Sequence, residues 1–140
     1  MTLEELRERL RLPIVVAPMF LVSGPDLVIA AAKAGLIGAL PSINARCADE
    51  FGSWLERIVH ETGHGLYAGN LIVRAGLDPE NLPERVGVFK PAIAAHIKPW
   101  RDVWSSGHGV GLIDDVPSVA ELVDRLEAEY RGARDALHQH

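Results

Sequence analysis

The stretch from Pro13 to Leu40, PIVVAPMFLVSGPDLVIAAAKAGLIGAL, constrains the fold more than any other, because it reads without ambiguity as strand, turn, helix, turn, strand. Ile14-Val15-Val16-Ala17 is a short continuous apolar run stopped by Pro18, the pattern of a parallel strand buried on both faces rather than half exposed. Ser23-Gly24-Pro25-Asp26 opens a helix. Pro25 stands at the first helical position, where a missing N–H costs nothing, and Asp26 is favoured by the helix dipole. Leu27, Ala30, Ala31 and Ala34 supply the apolar stripe of that helix. Gly35 supplies its left-handed cap, and Leu36-Ile37-Gly38-Ala39-Leu40 follows as a second buried strand. The unit is βαβ.

The segments around this unit extend the α/β reading. Thr2-Leu3-Glu4-Glu5 is a capping box, and Leu3, Leu6 and Leu10 share one face of a short helix. Pro41-Ser42-Ile43-Asn44 forms a loop at the carboxyl end of the second strand, the edge where sites in parallel α/β folds collect. Asn44 is therefore a candidate ligand contact, set against the ordinary role of a loop Asn in closing a turn. From Ala48 the spacing of Phe51, Trp54, Leu55, Ile58 and Val59 predicts an amphipathic helix that ends at His60 and Glu61 and is broken by Thr62-Gly63-His64-Gly65. Leu66 to Val73 reads as a third strand, with Asn70-Leu71-Ile72-Val73 its best part. Beyond it, prolines at 79, 83, 91, 99 and 117 punctuate the chain. One strong element remains: Ser118 with Glu121 makes a second capping box, opening a helix with Val119, Leu122, Val123, Leu126 and Tyr130 on its apolar face. Glu121/Arg125 and Glu127/Arg131 are placed on its solvent side.

Composition narrows the function classes. A net charge of −5 with mixed signs and no basic run argues against nucleic acid or an anionic membrane as partner. The lone Cys47 precludes an intramolecular disulfide and fits a reducing compartment. It heads a helix, which permits a lowered pKa, but has no partner base nearby, so packing or indifference is expected rather than catalysis. A charged N-terminus and the lack of any apolar run near about 18 residues lead to the expectation of neither signal peptide nor membrane span, with the cytoplasm as location. His60 and His64 have helical ligand spacing, but Gly63 and Gly65 interrupt the helix, and His138 and His140 sit in a terminal tail, so no metal site is expected. The glycine-dense run Ser105 to Gly111 lacks the strand before it and the helix after it that a phosphate loop requires.

The stretch APMFLVSGPDLVIAAAKAGLIGALPSIN, Ala17 to Asn44, resembles the opening of the nitronate monooxygenase (2-nitropropane dioxygenase) family of FMN-dependent (β/α)8-barrel flavoproteins. The resemblance implies that Ala17, Pro18 and Met19 lie against the flavin ring. It resumes at Asn70-Leu71-Ile72-Val73, where it implies a flavin contact for Asn70. It then jumps: RAGLDPENLP (74–83) and KPWRDVWSSGHGVGLIDDVPSVAELVDRLEAEY (98–130) resemble the family's closing segments. No residue matches the family's catalytic His or its FMN-phosphate loops. A full barrel takes about 250 residues and eight strands, whereas 140 residues make one ordinary domain. The expected fold is therefore α/β: a partial (β/α)8 barrel of about three parallel strands with flanking helices. It forms one truncated domain, 1–73 followed by a tail, 74–140, whose final helix runs over 118–137. The resemblance implies FMN as cofactor and an alkyl nitronate with oxygen as substrates, the flavin contacts being Ala17, Pro18, Met19, Asn44 and Asn70, with no catalytic residue assigned. Three outcomes stay open: an enzyme completed by a base from another subunit; a non-catalytic or oligomerising protein using its sheet edge or Trp100 and Trp104; and a deletion remnant.

Overall fold

A computed structural model describes residues 2–63, 65–71 and 108–138. The expectations for His64, Ile72 and Val73, the tail-like segment 74–83, the segment 98–107 with Trp100 and Trp104, and His140 lie outside the described residues. The chain divides into two compact units, Met1–Ile72 with Pro117–His140, and Val73–Val116. Of the second, residues 108–116 are described; they open with a 3-10 turn, His108–Leu112, with the Val110 carbonyl accepting the Ile113 N–H at 3.1 Å.

The first unit runs α1 (Leu3–Arg9), β1 (Val15–Val16), α2 (Pro25–Lys33), β2 (Ile37–Pro41), a 3-10 turn (Ser42–Asn44), α3 (Ala48–Thr62), β3 (Tyr67–Asn70) and α4 (Val119–Leu137). The three strands form one parallel sheet in the order β1-β2-β3. The fold is thus α/β, a three-stranded parallel sheet with flanking helices. Both capping boxes form as the sequence predicts, Thr2 with Glu5 and Ser118 with Glu121. Pro25 occupies the start of α2 behind Gly24, and Gly35, at φ +83°, turns the chain out of it.

Strand β2 is the central strand, and α2 lies close against it. A Cβ on Gly38 would come within 2.7 Å of the Val28 Cα, so only glycine permits this approach. Two apolar clusters flank that contact. Val28, Ile29, Leu40 and Ile58 pack with Phe51 and Trp54 of α3, while Leu12, Ala31, Leu36 and Val123 pack with Ile14, Val16, Val119 and Leu126. Helix α2 buries Val28, Ile29 and Ala31; of the predicted stripe Ala31 is buried and Ala34 packs on the same cluster, while Leu27 and Ala30 are half-buried, because neighbours on both flanks shift and widen the covered face.

Several other expectations are corrected. Strand β1 is two residues long and not buried on both faces: Val16 packs toward α2 and α4, while Val15, on the opposite face of an edge strand, is 55% exposed. Strand β3 spans Tyr67–Asn70, all exposed, inside the expected Leu66 to Val73, with Leu66 and Leu71 outside it. Its described register ends at Pro41↔Asn70, where β2 turns into the 3-10 helix. Helix α1 buries no residue, and Leu3 is exposed. In α4, Val123 is buried while Leu122 and Tyr130 are exposed. Glu127 is not on the solvent side: its side chain is 14% exposed and bonds Arg11 as well as Arg131. Arg11 also reaches Asp124 at 2.7 Å, so α4 is clipped to the segment leading into β1. Among the described residues no helix is long and apolar enough to cross a membrane.

Candidate functional site at the carboxyl ends of the strands

In a parallel sheet all strands end at the same edge, so residues far apart in sequence converge there. Ala17, Pro18 and Met19 follow β1; Ser42–Asn44 follows β2; Asn70 closes β3 opposite Pro41. The five predicted contact residues thus occupy one edge of the sheet. Ala17, Pro18, Met19 and Asn70 are exposed, Met19 at 41%.

The loop from Ala17 to Gly24 is densely wired. Ser23, 1% exposed, accepts the Met19 N–H at its Oγ (2.8 Å) and donates that hydroxyl to the Ala17 carbonyl (3.3 Å). The Met19 carbonyl accepts the N–H groups of Val22 (3.3 Å) and Ser23 (2.9 Å). From the next strand end, Asn44 donates its Nδ2 protons to the carbonyls of Met19 (3.0 Å) and Ser23 (2.8 Å) and accepts the Leu21 N–H at Oδ1 (2.9 Å). Both of the amide's protons are engaged inside the protein. Asn44 therefore joins two strand-end loops, which is the turn-closing role weighed for it, carried out across 25 residues of sequence.

Leu21 has φ +62°, the left-handed region that a γ-branched side chain enters only under constraint. Held there, it stands 53% exposed beside Met19 and Val22, the latter 51% exposed, so the loop presents an apolar surface on a fixed backbone. Ser23 and Leu21 were not singled out as site residues in the sequence. Ser23-Gly24-Pro25 reads there as a helix opening, and the φ of Leu21 leaves no mark in residue type.

Cys47 is exposed at the N-cap position of α3. Among the described residues no group of three or more His, Cys, Asp or Glu is placed to hold a metal ion. Fold and edge together define an α/β protein whose described strand-end residues form an apolar, hydrogen-bond-braced surface with Asn70 exposed at its edge. No protein-family model matches the chain, and no curated protein or solved structure matches it either.

Proposed function

We propose that the chain is a nitronate monooxygenase-like flavoprotein by descent. In this reading it is part of a (β/α)8-barrel architecture, works in the cytoplasm, takes the FMN ring at the carboxyl ends of its strands, and does not oxidise alkyl nitronates with oxygen on its own. The observation that carries the reading is convergence: Ala17-Pro18-Met19 and Asn70, which bear the family resemblance in separate parts of the sequence, end at one edge of one sheet. The fit is to the ring. Ala17, Pro18 and Met19 offer an exposed apolar surface and Asn70 an amide for the ring's polar edge, while the amide protons of Asn44 are already engaged. FMN, when bound, would supply the electron-accepting ring. None of Ala17, Pro18, Met19, Asn44 and Asn70 can accept a proton at neutral pH, and general-base catalysis typically accounts for about 10²–10⁴-fold of rate.

The test is a pair of titrations, FMN and riboflavin, followed by flavin fluorescence. Ring-only binding predicts weak, saturable quenching with the two affinities alike, since the phosphate would make no charge-assisted contact. Oxygen uptake with propyl-2-nitronate is expected to stay at the buffer rate. Quenching by neither flavin would overturn the binding reading, and oxygen uptake would overturn the inactive one.

A second reading is a non-catalytic, self-associating protein. It is favoured by β3, which is exposed at all four residues and, among those described, has a strand neighbour on one side alone. Sedimentation at micromolar concentration distinguishes it: a dimer or larger species supports it, and a clean monomer rules it out.

A further inference from the structure

We infer that Asn44 is a positioning residue rather than a flavin contact: with Ser23 it locks the loop after β1 so that Leu21 is held left-handed and Met19 is presented at the strand ends. The inference rests on the proposed flavin site for its ligand, and on geometry alone for the lock itself. Three hydrogen bonds from one amide side chain bridge Met19, Leu21 and Ser23, all between 2.8 and 3.0 Å. Hydrogen bonds of this kind hold the loop, and a leucine in the left-handed region resists it by an amount of the same order. The two are of one size, so the clamp is strong enough to hold the strained residue and its loss is enough to release it. Ser23 holds the same loop from its buried side, fixing the Met19 N–H and the Ala17 carbonyl through one hydroxyl.

The arrangement has a direction. Asn44 must both donate and accept: its NH₂ holds two carbonyls while its oxygen holds the Leu21 N–H. Aspartate matches its shape and could accept, but an ionised carboxylate cannot donate and would face two carbonyl oxygens. Glycine at 21 would adopt φ +62° without help. The clamp and the strained residue are therefore predicted to be coupled, which a merely structural Asn would not be.

The chain has two methionines, Met1 and Met19, so ¹³C-methyl methionine labelling reports the loop directly and without ligand. In the wild type the Met19 methyl is expected as one sharp resonance. In Asn44→Ala and Asn44→Asp it should move toward the random-coil position, and in the double variant Leu21→Gly/Asn44→Ala it should return most of the way. With riboflavin as probe, Asn44→Ala should weaken binding about tenfold, the loss expected when the loop holds its binding-competent form about one-tenth of the time, and the double variant should recover it. If Asn44→Ala does not fold, Ser23→Ala, which removes the bonds to Met19 and Ala17 alone, is measured in its place with the same expectation for the methyl resonance. An unmoved Met19 resonance in the folded variant, or a double variant no better than Asn44→Ala, overturns the inference. Failure of the wild type to quench riboflavin overturns the flavin site instead, and leaves the methyl measurement to decide the lock.

Discussion

At the scale of single residues, two backbone positions carry more constraint than their residue types announce. Leu21 and Val22 are about equally exposed, but only Leu21 has positive φ. Leu21→Gly exchanges relief of about 1–2 kcal/mol of strain for the entropy of a freer chain, about 0.5–1 kcal/mol, and is expected to leave stability unchanged or raised by up to about 1.5 kcal/mol. Val22→Gly has no strain to relieve and should cost about 0.5–1 kcal/mol in chemical denaturation. Equal losses would mean that Leu21 is not strained. Gly38 and Gly69 make a second pair. An alanine at 38 would meet α2 backbone at 2.7 Å, and Gly38→Ala should cost about 1–3 kcal/mol through displaced packing. At Gly69 the nearest atom is Phe51 Cζ at 3.9 Å, ordinary contact distance, so Gly69→Ala should be neutral or mildly stabilising.

At the scale of elements, α4 shows how far local signals reach. Its start was legible from Ser118 and Glu121, and Ser118→Ala should cost about 0.5–2 kcal/mol through loss of the cap. Which flank of the helix meets the rest of the unit was not legible, because periodicity places Glu127 beside Arg131 without revealing Arg11, 116 residues away in sequence. The hydrogen bond from Arg11 holds the Glu127 carboxyl below its ordinary pKa, helped by Arg131 and opposed by desolvation. A carboxylate with a lowered folded-state pKa contributes stability that is fully present above its unfolded pKa, near 4.5, and is lost as pH falls through the folded value. Glu61 behaves alike, through Arg57 first and Lys33 second. Glu127→Gln should therefore lower stability at pH 7 and flatten its decline below about pH 4.5, read from urea midpoints across pH. Glu129→Gln, at an exposed position of the same helix, is expected to change the midpoint at pH 7 by under about 0.5 kcal/mol equivalent.

At the scale of the molecule, the first unit is assembled from both ends of the chain. Leu12, Ala31 and Leu36 complete their cluster with Val123, which is 1% exposed, so the apolar side of α2 depends on a helix that begins 49 residues after β3 ends. Val123→Ala should cost about 1–3 kcal/mol, below the range for larger side chains emptied from a core. Removing residues 117–140 exposes the whole cluster and is expected to abolish cooperative thermal unfolding of the remainder; a sharp transition in that truncated chain would show that the βαβαβ part stands alone.

The βαβ unit was determined by sequence alone, because its signals are local: a Pro at the helix start, a Gly beyond its end, and apolar runs of strand length on either side. The capping boxes of α1 and α4 were legible for the same reason, since each is closed within four residues. The limits of the strands were not. The described register of β3 ends where β2 turns into the 3-10 helix, and β1 is half exposed because it lies at an edge, facts of pairing that no segment carries by itself. The same holds at the strand ends. The sequence placed Ala17, Pro18, Met19, Asn44 and Asn70 as candidates, but only the tertiary structure decided that the protons of the Asn44 amide are spent on Met19 and Ser23 while the surface of Met19 stays open, because hydrogen bonds between separate loops depend on the register of the strands that bring them together.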